Sequence, residues 1–504
     1  MVWRSCFRAS ATGTRRKPGP SEEWNMVTLA DDARRDTGDV TRLDAAAVTA
    51  LRADLRGDVV LPDDDGYAAA RRIWNGMIDR RPAAIARCAG AADVRAALAF
   101  ADREGLDVSV RGGGHNVAGT SLADGALLID LSAMRSIRVD PAGSTVRVEP
   151  GVRLGELDRE TQAFGLAVPI GIATETGLAG LALGGGIGWL MRRHGLTSDS
   201  LVSADVVTAD GTLVHASDRE NADLFWGLRG GGGNFGIVTS FEFRAYRVGP
   251  EVLAGPVIYA LDDAPDILRR YRDWAASAPD DAASIPVLRT VLPLASMPAE
   301  LHGRRVLQVV ACHLGDPADA ERDLRPLREL GRPLLDRLER RPFRALQSMF
   351  DAGVPHGKRN YWKSEFLGGL SDGLIDAIVS AAAHAPGPWP FMNLFQLGGA
   401  IGRVPADATA YGDRDAAFAL NIVGMGEDPA GDAGVISWVR ETWTAALPYS
   451  TGHVYVNFLG EEGDERVRAA YDVGHYARLA DLKSRWDPGN RFRHNQNVRP
   501  ATPG

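Results

Sequence analysis

The chain is poor in cysteine: Cys6, Cys88 and Cys312 are the only three in 504 residues, far apart and without a CxxC pair. That excludes a disulfide framework and a zinc knuckle, and it suits a reducing compartment, so a cytoplasmic location is expected. No apolar run is long enough to span a bilayer, and no membrane partner is expected. The basic run Arg15-Arg16-Lys17 is followed by no apolar segment, which argues against a secretory signal. Residues 1–40 read as a disordered tail, with Met26 offering an alternative start. Positive charge is not in excess either. A formal net charge of -8 argues against nucleic-acid and anionic-membrane partners. The basic stretch 337–344 is interspersed with other residues and reads as a solvated face. Ten histidines show no metal-ligand spacing, so no metal is expected. Patterns for a phosphate-binding P-loop and an HExxH helix are absent.

Glycine, by contrast, is abundant and clustered. The first cluster is Val110-Arg111-Gly112-Gly113-Gly114-His115-Asn116, directly after the short strand expected over residues 107–110. Three glycines let the backbone approach a ligand closely, successive N–H groups form an anion-binding concavity, and Arg111 adds a positive charge beside it. A diphosphate fits such a turn, with His115 at its edge. The second cluster runs from Gly171 to Trp189, with glycines at 177, 180, 184, 185, 186 and 188 leaving a surface suited to a flat or extended ligand. The third runs from Leu224 to Thr239 and formally contains GxGxxG at Gly231, Gly233 and Gly236. A dinucleotide fingerprint must follow a strand and open a helix. Here a helix at Ala222–Leu228 precedes and a strand at Ile237–Phe243 follows, so the Rossmann reading fails.

The spacing predicts helices over 44–56, 66–75, 92–104 and 154–164, and strands over 81–86 and 126–131. A hairpin is expected around Asp140-Pro141-Ala142-Gly143. This mixture of strands and helices gives an α+β class for residues 41–249. From 250 to 450 the composition shifts toward proline, with strands at 306–314 and 418–425 and helices at 319–330 and 370–384. That is the pattern of a second α/β domain whose sheet forms a cavity wall. Residues 451–504 carry one more strand at Tyr455, a helix at 476–486 and the turn Asp487-Pro488-Gly489-Asn490.

Together the glycine clusters resemble the berberine-bridge-enzyme-like branch of the vanillyl-alcohol-oxidase type flavoproteins. Tyr455-Val456-Asn457-Phe458 and the closing run from Asp487 to Asn497 are similar to that family's C-terminal signature. The resemblance covers roughly residues 70 to 498. It implies a PCMH-type FAD-binding domain built from residues up to 249 plus the tail, with the middle segment as a substrate domain over the flavin. It implies FAD contacts from Arg111, Gly112, Gly113, Gly114, His115, Asn116 and Ser121. The second cluster adds Gly171, Thr176, Gly177, Gly180, Leu181, Gly184, Gly185, Gly186, Gly188 and Trp189. Gly236, Ile237, Val238, Tyr455, Asn457, Asn495 and Asn497 complete the set. His115 matches the histidine that this family bonds covalently to the flavin, where a neutral imidazole acts as the nucleophile. Ala173 stands where many members carry a second, cysteinyl attachment, so one covalent link is expected.

The resemblance implies hydride transfer from an alcohol, a sugar hydroxyl or a secondary-metabolite ring to the flavin, with molecular oxygen as acceptor. A dehydrogenase using another acceptor and a non-catalytic flavin or small-molecule binder are the competing readings. In many relatives the proton-accepting base directly follows the asparagine that matches Asn457, and here that residue is Phe458. Alternation along a strand would place Tyr455 on the face opposite Phe458. The replacement candidates are Tyr455 and Tyr361, the latter flanked by Lys358, Arg359 and Lys363. His453 and Glu461 are weaker alternatives.

Overall fold

The computed structural model describes residues 43–502. The expected tail, 1–40, lies outside the described residues. A four-stranded sheet comes first, in the spatial order Asp58–Val60, Ala84–Arg87, Leu127–Asp130 and Val108–Arg111. The last three strands run parallel and the first adds an antiparallel edge. Parallel pairing needs a crossover, which the helix Ala91–Glu104 supplies. It buries Val94, Ala97, Leu98 and Ala101, one stripe of a 3.6-residue period, and ends on Gly105 in the left-handed conformation at φ 64. The carboxyl end of Val108–Arg111 thus opens into the first glycine cluster, on the edge where parallel sheets receive ligands.

The second sheet is antiparallel, with five strands ordered Ile137–Asp140, Thr145–Val148, Ile237–Arg244, Leu201–Val207 and Leu213–Ser217. The expected hairpin forms its first pair. The Asp140 carboxylate accepts from the N–H groups of Ala142 and Gly143, both at 3.1 Å, and so shapes the turn. Val146, Val206, Phe241 and Phe243 share a core with Leu224 and Phe225 of the helix Ala222–Leu228, and with Val454, Leu479, Leu482 and Val498 from the end of the chain.

Eight strands form the third sheet. Its main order is Leu335–Asp336, Glu251–Ala260, Arg305–His313, Ala282–Thr290, Phe391–Gln396, Phe418–Gly426 and Arg359–Leu367, with Glu339–Pro342 also on Glu251–Ala260. Neighbouring strands are antiparallel throughout. Leu288, Leu307, Leu394 and Leu420 pack against Leu268, Leu324, Ile375 and Val439 of four helices covering one face. Alternate residues, Val287, Phe391, Phe395 and Val423, turn to the other face, toward Ile187, Tyr411 and Tyr455. Burial on both faces is why these strands read as nearly continuous apolar runs.

Two expected elements are different. Within 66–75 only Tyr67–Ala70 is helical, because the Asn75 side chain bonds to Met77 N–H and to the carbonyls of Val117 and Asn360, turning the chain. The expected strand at Tyr455 is instead a 3-10 turn, Val456–Phe458, closed by the Phe458 N–H on the Tyr455 carbonyl at 2.9 Å. Strand alternation therefore does not govern which way Tyr455 and Phe458 point. Among the described residues, no helix is long and apolar enough to cross a membrane.

Candidate functional site

A cavity of about 330 Å³ lies between the first glycine cluster and the inner face of the third sheet, within the ordinary size of ligand pockets. Gly112 to Asn116, Thr120 and Ser121 line one side. Gly113 and Gly177 cross there in backbone contact: a Cβ on Gly113 would lie 2.4 Å from the Gly177 Cα. Only glycine fits both positions. Asn116 Oδ1 accepts from the Ala118 N–H at 3.0 Å, and the Ser121 Oγ is buried with no protein partner.

His115 stacks on Trp74, with ring centroids 4.3 Å apart and planes at 21°. Trp74 is held in turn by its indole N–H on the Val354 carbonyl. Burial lowers the His115 pKa to about 4, so the imidazole is neutral at pH 7, and its Nε2 has no partner among the described residues. Arg111 departs from expectation. Its guanidinium pairs with Asp130 on the neighbouring strand, Nη2 to Oδ2 at 2.6 Å and Nε to Oδ1 at 3.1 Å, and also bonds the Ala70 carbonyl. It lies outside the cavity lining, and its charge is spent on fixing the strand end from which the loop departs.

The second cluster divides at Leu183. Gly171, Ala173, Thr176, Gly177, Gly180 and Leu181 line the cavity. Gly184, Gly185, Gly186, Gly188 and Trp189, also expected to contact the cofactor, do not line it. A Cβ would meet the Asn457 side chain at 2.1 Å from Gly184, Thr197 Oγ1 at 2.1 Å from Gly186 and the Ile170 carbonyl at 1.8 Å from Gly188. Gly185 abuts Tyr411 and Trp189 stacks on Phe350, so these residues pack behind the wall, while Ile187 between them lines the cavity. From the third cluster Gly232, Gly233, Gly236, Ile237 and Val238 line the cavity, joined by Asn495 but not by Asn497. Asn495 donates to the Gly233 and Phe492 carbonyls, and its buried Oδ1 has no partner. Sequence reasoning missed the anchor of this corner, Lys483. Fully buried, it pairs with Asp487 at 2.7 Å and donates to the carbonyls of Asn234 and Phe492.

The opposite wall comes from the third sheet and was legible only as a general expectation. Trp362, Phe391, Phe395, Val423, Asn393 and Asn421 line it, with Phe350 and Phe458 beside them. The signal was the alternation Phe391-x-Asn393-x-Phe395. Tyr455 also lines the cavity. Its phenol oxygen accepts from the Gly186 N–H and from Asn457 Nδ2, both at 2.8 Å, and burial pushes its pKa up to about 12. Phe458 packs edge-on against it at 4.9 Å.

Tyr361 is placed elsewhere. It sits one residue out of phase with Trp362, on the helix-covered face, where its oxygen accepts from Arg440 Nε at 3.1 Å. The cations meant to activate it are already paired, Lys358 with Glu427, Arg359 with Asp432 and Lys363 with Glu462. Tyr361 does not line the cavity. His453 bonds the Ala469 carbonyl, Glu461 pairs with Arg80 at 3.0 Å, and neither lines the cavity. Among the described residues no cluster of three or more His, Cys, Asp or Glu is placed to hold a metal.

Residues 82–217 match the family model described as an FAD binding domain, and 454–499 match the one described as berberine and berberine like. (R)-6-hydroxynicotine oxidase from Paenarthrobacter nicotinovorans is 33% identical over 88% of this chain and 97% of its own length. Xylooligosaccharide oxidase from Thermothelomyces thermophilus is 29% identical, covering 85% of this chain and 89% of its own length. The crystal structure of 6-hydroxy-D-nicotine oxidase from Arthrobacter nicotinovorans superposes with a TM-score of 0.81 at 31% identity, covering 89% of this chain and 98% of that one. Fold, glycine-walled cavity and these likenesses agree: the chain belongs to the berberine-bridge-enzyme-like FAD-linked oxidoreductases of the PCMH type.

Proposed function

We propose that the cavity holds FAD bonded covalently to His115 alone, and that the chain oxidises an alcohol, a sugar hydroxyl or a secondary-metabolite ring with oxygen as acceptor. The observation that carries this reading is the neutral His115 ring on the cavity wall, its Nε2 without a protein partner, within reach of glycine backbone on two sides. The residues present fit the cofactor. Gly180 and Gly233 line the cavity with no atom of the described residues over the position of a Cβ, and the Ser121 hydroxyl, able to donate or accept, and the Asn495 Oδ1 acceptor are buried without a partner among the described residues. Gly112–His115, Thr176–Leu181 and Gly232–Val238 would hold it. Ala173 lines the same cavity and offers no sulfur for a second link.

When bound, FAD supplies a hydride acceptor. The chain supplies the rest. Trp362, Phe391 and Phe395 present an apolar surface to a substrate, and Asn393 and Asn421 present amides to it. Tyr455 carries the ionisable phenol of this wall. Two N–H donors on its oxygen favour the anion, burial opposes it, and the balance leaves the proton in place at neutral pH.

Phe458 favours a second reading, a binder without turnover, because no proton acceptor occupies its position on the wall. Mixing the purified yellow protein anaerobically with a panel of alcohols and sugars separates the two. Bleaching of the flavin band by any member supports an oxidoreductase, and return of the band on readmitting air, with peroxide, supports oxygen as acceptor. No bleaching across the panel supports the binder.

A further inference from the structure

Among the described residues Arg289 is a cation with no anion. It lies on the strand Ala282–Thr290, directly opposite Phe391 in the register with Phe391–Gln396, so its side chain leaves the sheet on the same face as Phe391. That face is the cavity wall, where Phe391, Asn393 and Phe395 stand. The guanidinium sits 5.5 Å from the centre of the Phe391 ring. On its other side it meets the segment between Phe350 and Val354, both of which line the cavity. There a Cβ on Gly353 would come within 3.0 Å of Nη1. The one hydrogen bond from this guanidinium runs from Nε to the Thr290 carbonyl at 3.3 Å, and its buried Nη2 has no partner.

Most other arginines drawn into this part of the molecule are compensated. Arg111 has Asp130, Arg359 has Asp432, Arg414 has Asp199 and Arg466 has Glu365. Arg289 has no carboxylate within ion-pair distance among the described residues. A guanidinium drawn away from water without a counter-charge is destabilised until a partner meets it. A fork of free N–H donors is also the geometry that meets a carboxylate through two parallel bonds.

Next to it on the same face, Asn393 and Asn421 stand directly opposite each other across two strands. Both amides line the cavity, and each has a buried Oδ1 without a partner. Aromatic surface and paired amides thus follow one another along a single wall, and the cation lies at its edge, outside the lining itself but against Phe391 and the segment between Phe350 and Val354, which border the cavity.

We infer that the substrate of this chain is an organic acid: Arg289 receives its carboxylate, the flat apolar body lies along Phe391 and Trp362, and a polar substituent meets Asn393 and Asn421. This deepens the proposed function and rests on it for the word substrate. Recognition of the anion stands on the geometry alone. Arg289 is here a specificity residue, because it touches the substrate away from the reacting atoms.

The test is calorimetric titration of the purified holoprotein, in chloride-free buffer, with benzoate, phenylacetate and 3-phenylpropionate, each paired with its uncharged amide. At least one acid should bind roughly tenfold or more tighter than its amide, the scale of a charge-assisted hydrogen bond. Arg289→Met should erase that preference and Arg289→Lys should keep part of it, with flavin content and Tm checked for both. Acetate should bind far more weakly than the aromatic acids. Equal binding of acid and amide, no binding by any acid, or acetate binding as tightly as the best aromatic acid overturns the inference. So does a preference that survives Arg289→Met. Should that variant not fold, the acid and amide comparison on the parent decides by itself. Calorimetry reads binding without turnover, so acid selectivity in a protein whose flavin no compound bleaches removes the oxidoreductase reading and leaves the anion site standing.

Discussion

The phenol oxygens of Tyr455 and Tyr361 meet opposite surroundings, and that difference is measurable. Tyr455 holds two N–H donors inside the cavity wall, whereas Tyr361 touches Arg440 on the far face of the sheet. With its pKa pushed up to about 12, Tyr455 accepts a proton only as its rare anion at neutral pH. If it serves as the base, anaerobic flavin reduction should quicken about tenfold per pH unit through the neutral range, and Tyr455→Phe should flatten that profile. The variant also strands the buried Gly186 N–H, at a cost of about 1–3 kcal/mol in stability. Tyr361→Phe should leave the reduction rate unchanged and stability within about 0.5 kcal/mol. A loss of about 10²-fold or more in reduction on Tyr361→Phe contradicts the placement. The sequence suggested Tyr361 because three cations flank it. The acids that neutralise them, Glu427, Asp432 and Glu462, lie 69 to 99 residues away and are visible only in the fold.

Among the elements, the short helix Phe343–Gln347 rests on Leu154–Gln162 through one buried polar contact. Gln347 Nε2 donates to Asp158 at 2.8 Å, the second Asp158 oxygen has no partner, and burial pushes the carboxyl up to about 7. Its ordinary value is 3.8, so the folded state prefers the protonated acid. The stabilising contribution of that proton is complete below about pH 4 and is lost as pH rises through 7. Asp158→Asn should therefore gain stability over the parent by an amount that grows from pH 4 to 7 and then levels off, at a few kcal/mol. A Tm difference independent of pH would falsify this account of Asp158. Elements with a strong period or cap were readable without the fold, such as Ala91–Glu104 and the hairpin at Asp140. Tyr455–Phe458 was not, because the bond that closes its turn competes with an alternating apolar pattern that also suits a strand. The glycines from 184 to 188 looked like ligand surface for a related reason. A sequence shows that side chains are missing, but not whether a ligand or another side chain fills the space.

At the scale of the whole molecule, the cavity is assembled from segments far apart in the chain: a loop after a parallel strand, two later glycine clusters, one face of an antiparallel sheet and the closing turns. The glycine clusters announced the first part through composition alone. The sheet wall, with Phe391, Asn393 and Asn421, depends on register between strands, which no local pattern fixes. All of these parts converge on His115, and the central claim is that this residue holds the cofactor by a covalent bond. Acid precipitation of the purified protein, followed by proteolysis and mass analysis of the yellow peptide, tests it most directly. The account predicts that the flavin stays with the pellet, in one peptide containing His115, and that His115→Ala releases all of it into the supernatant. Flavin recovered free from the parent protein, or attached to a peptide lacking His115, contradicts it.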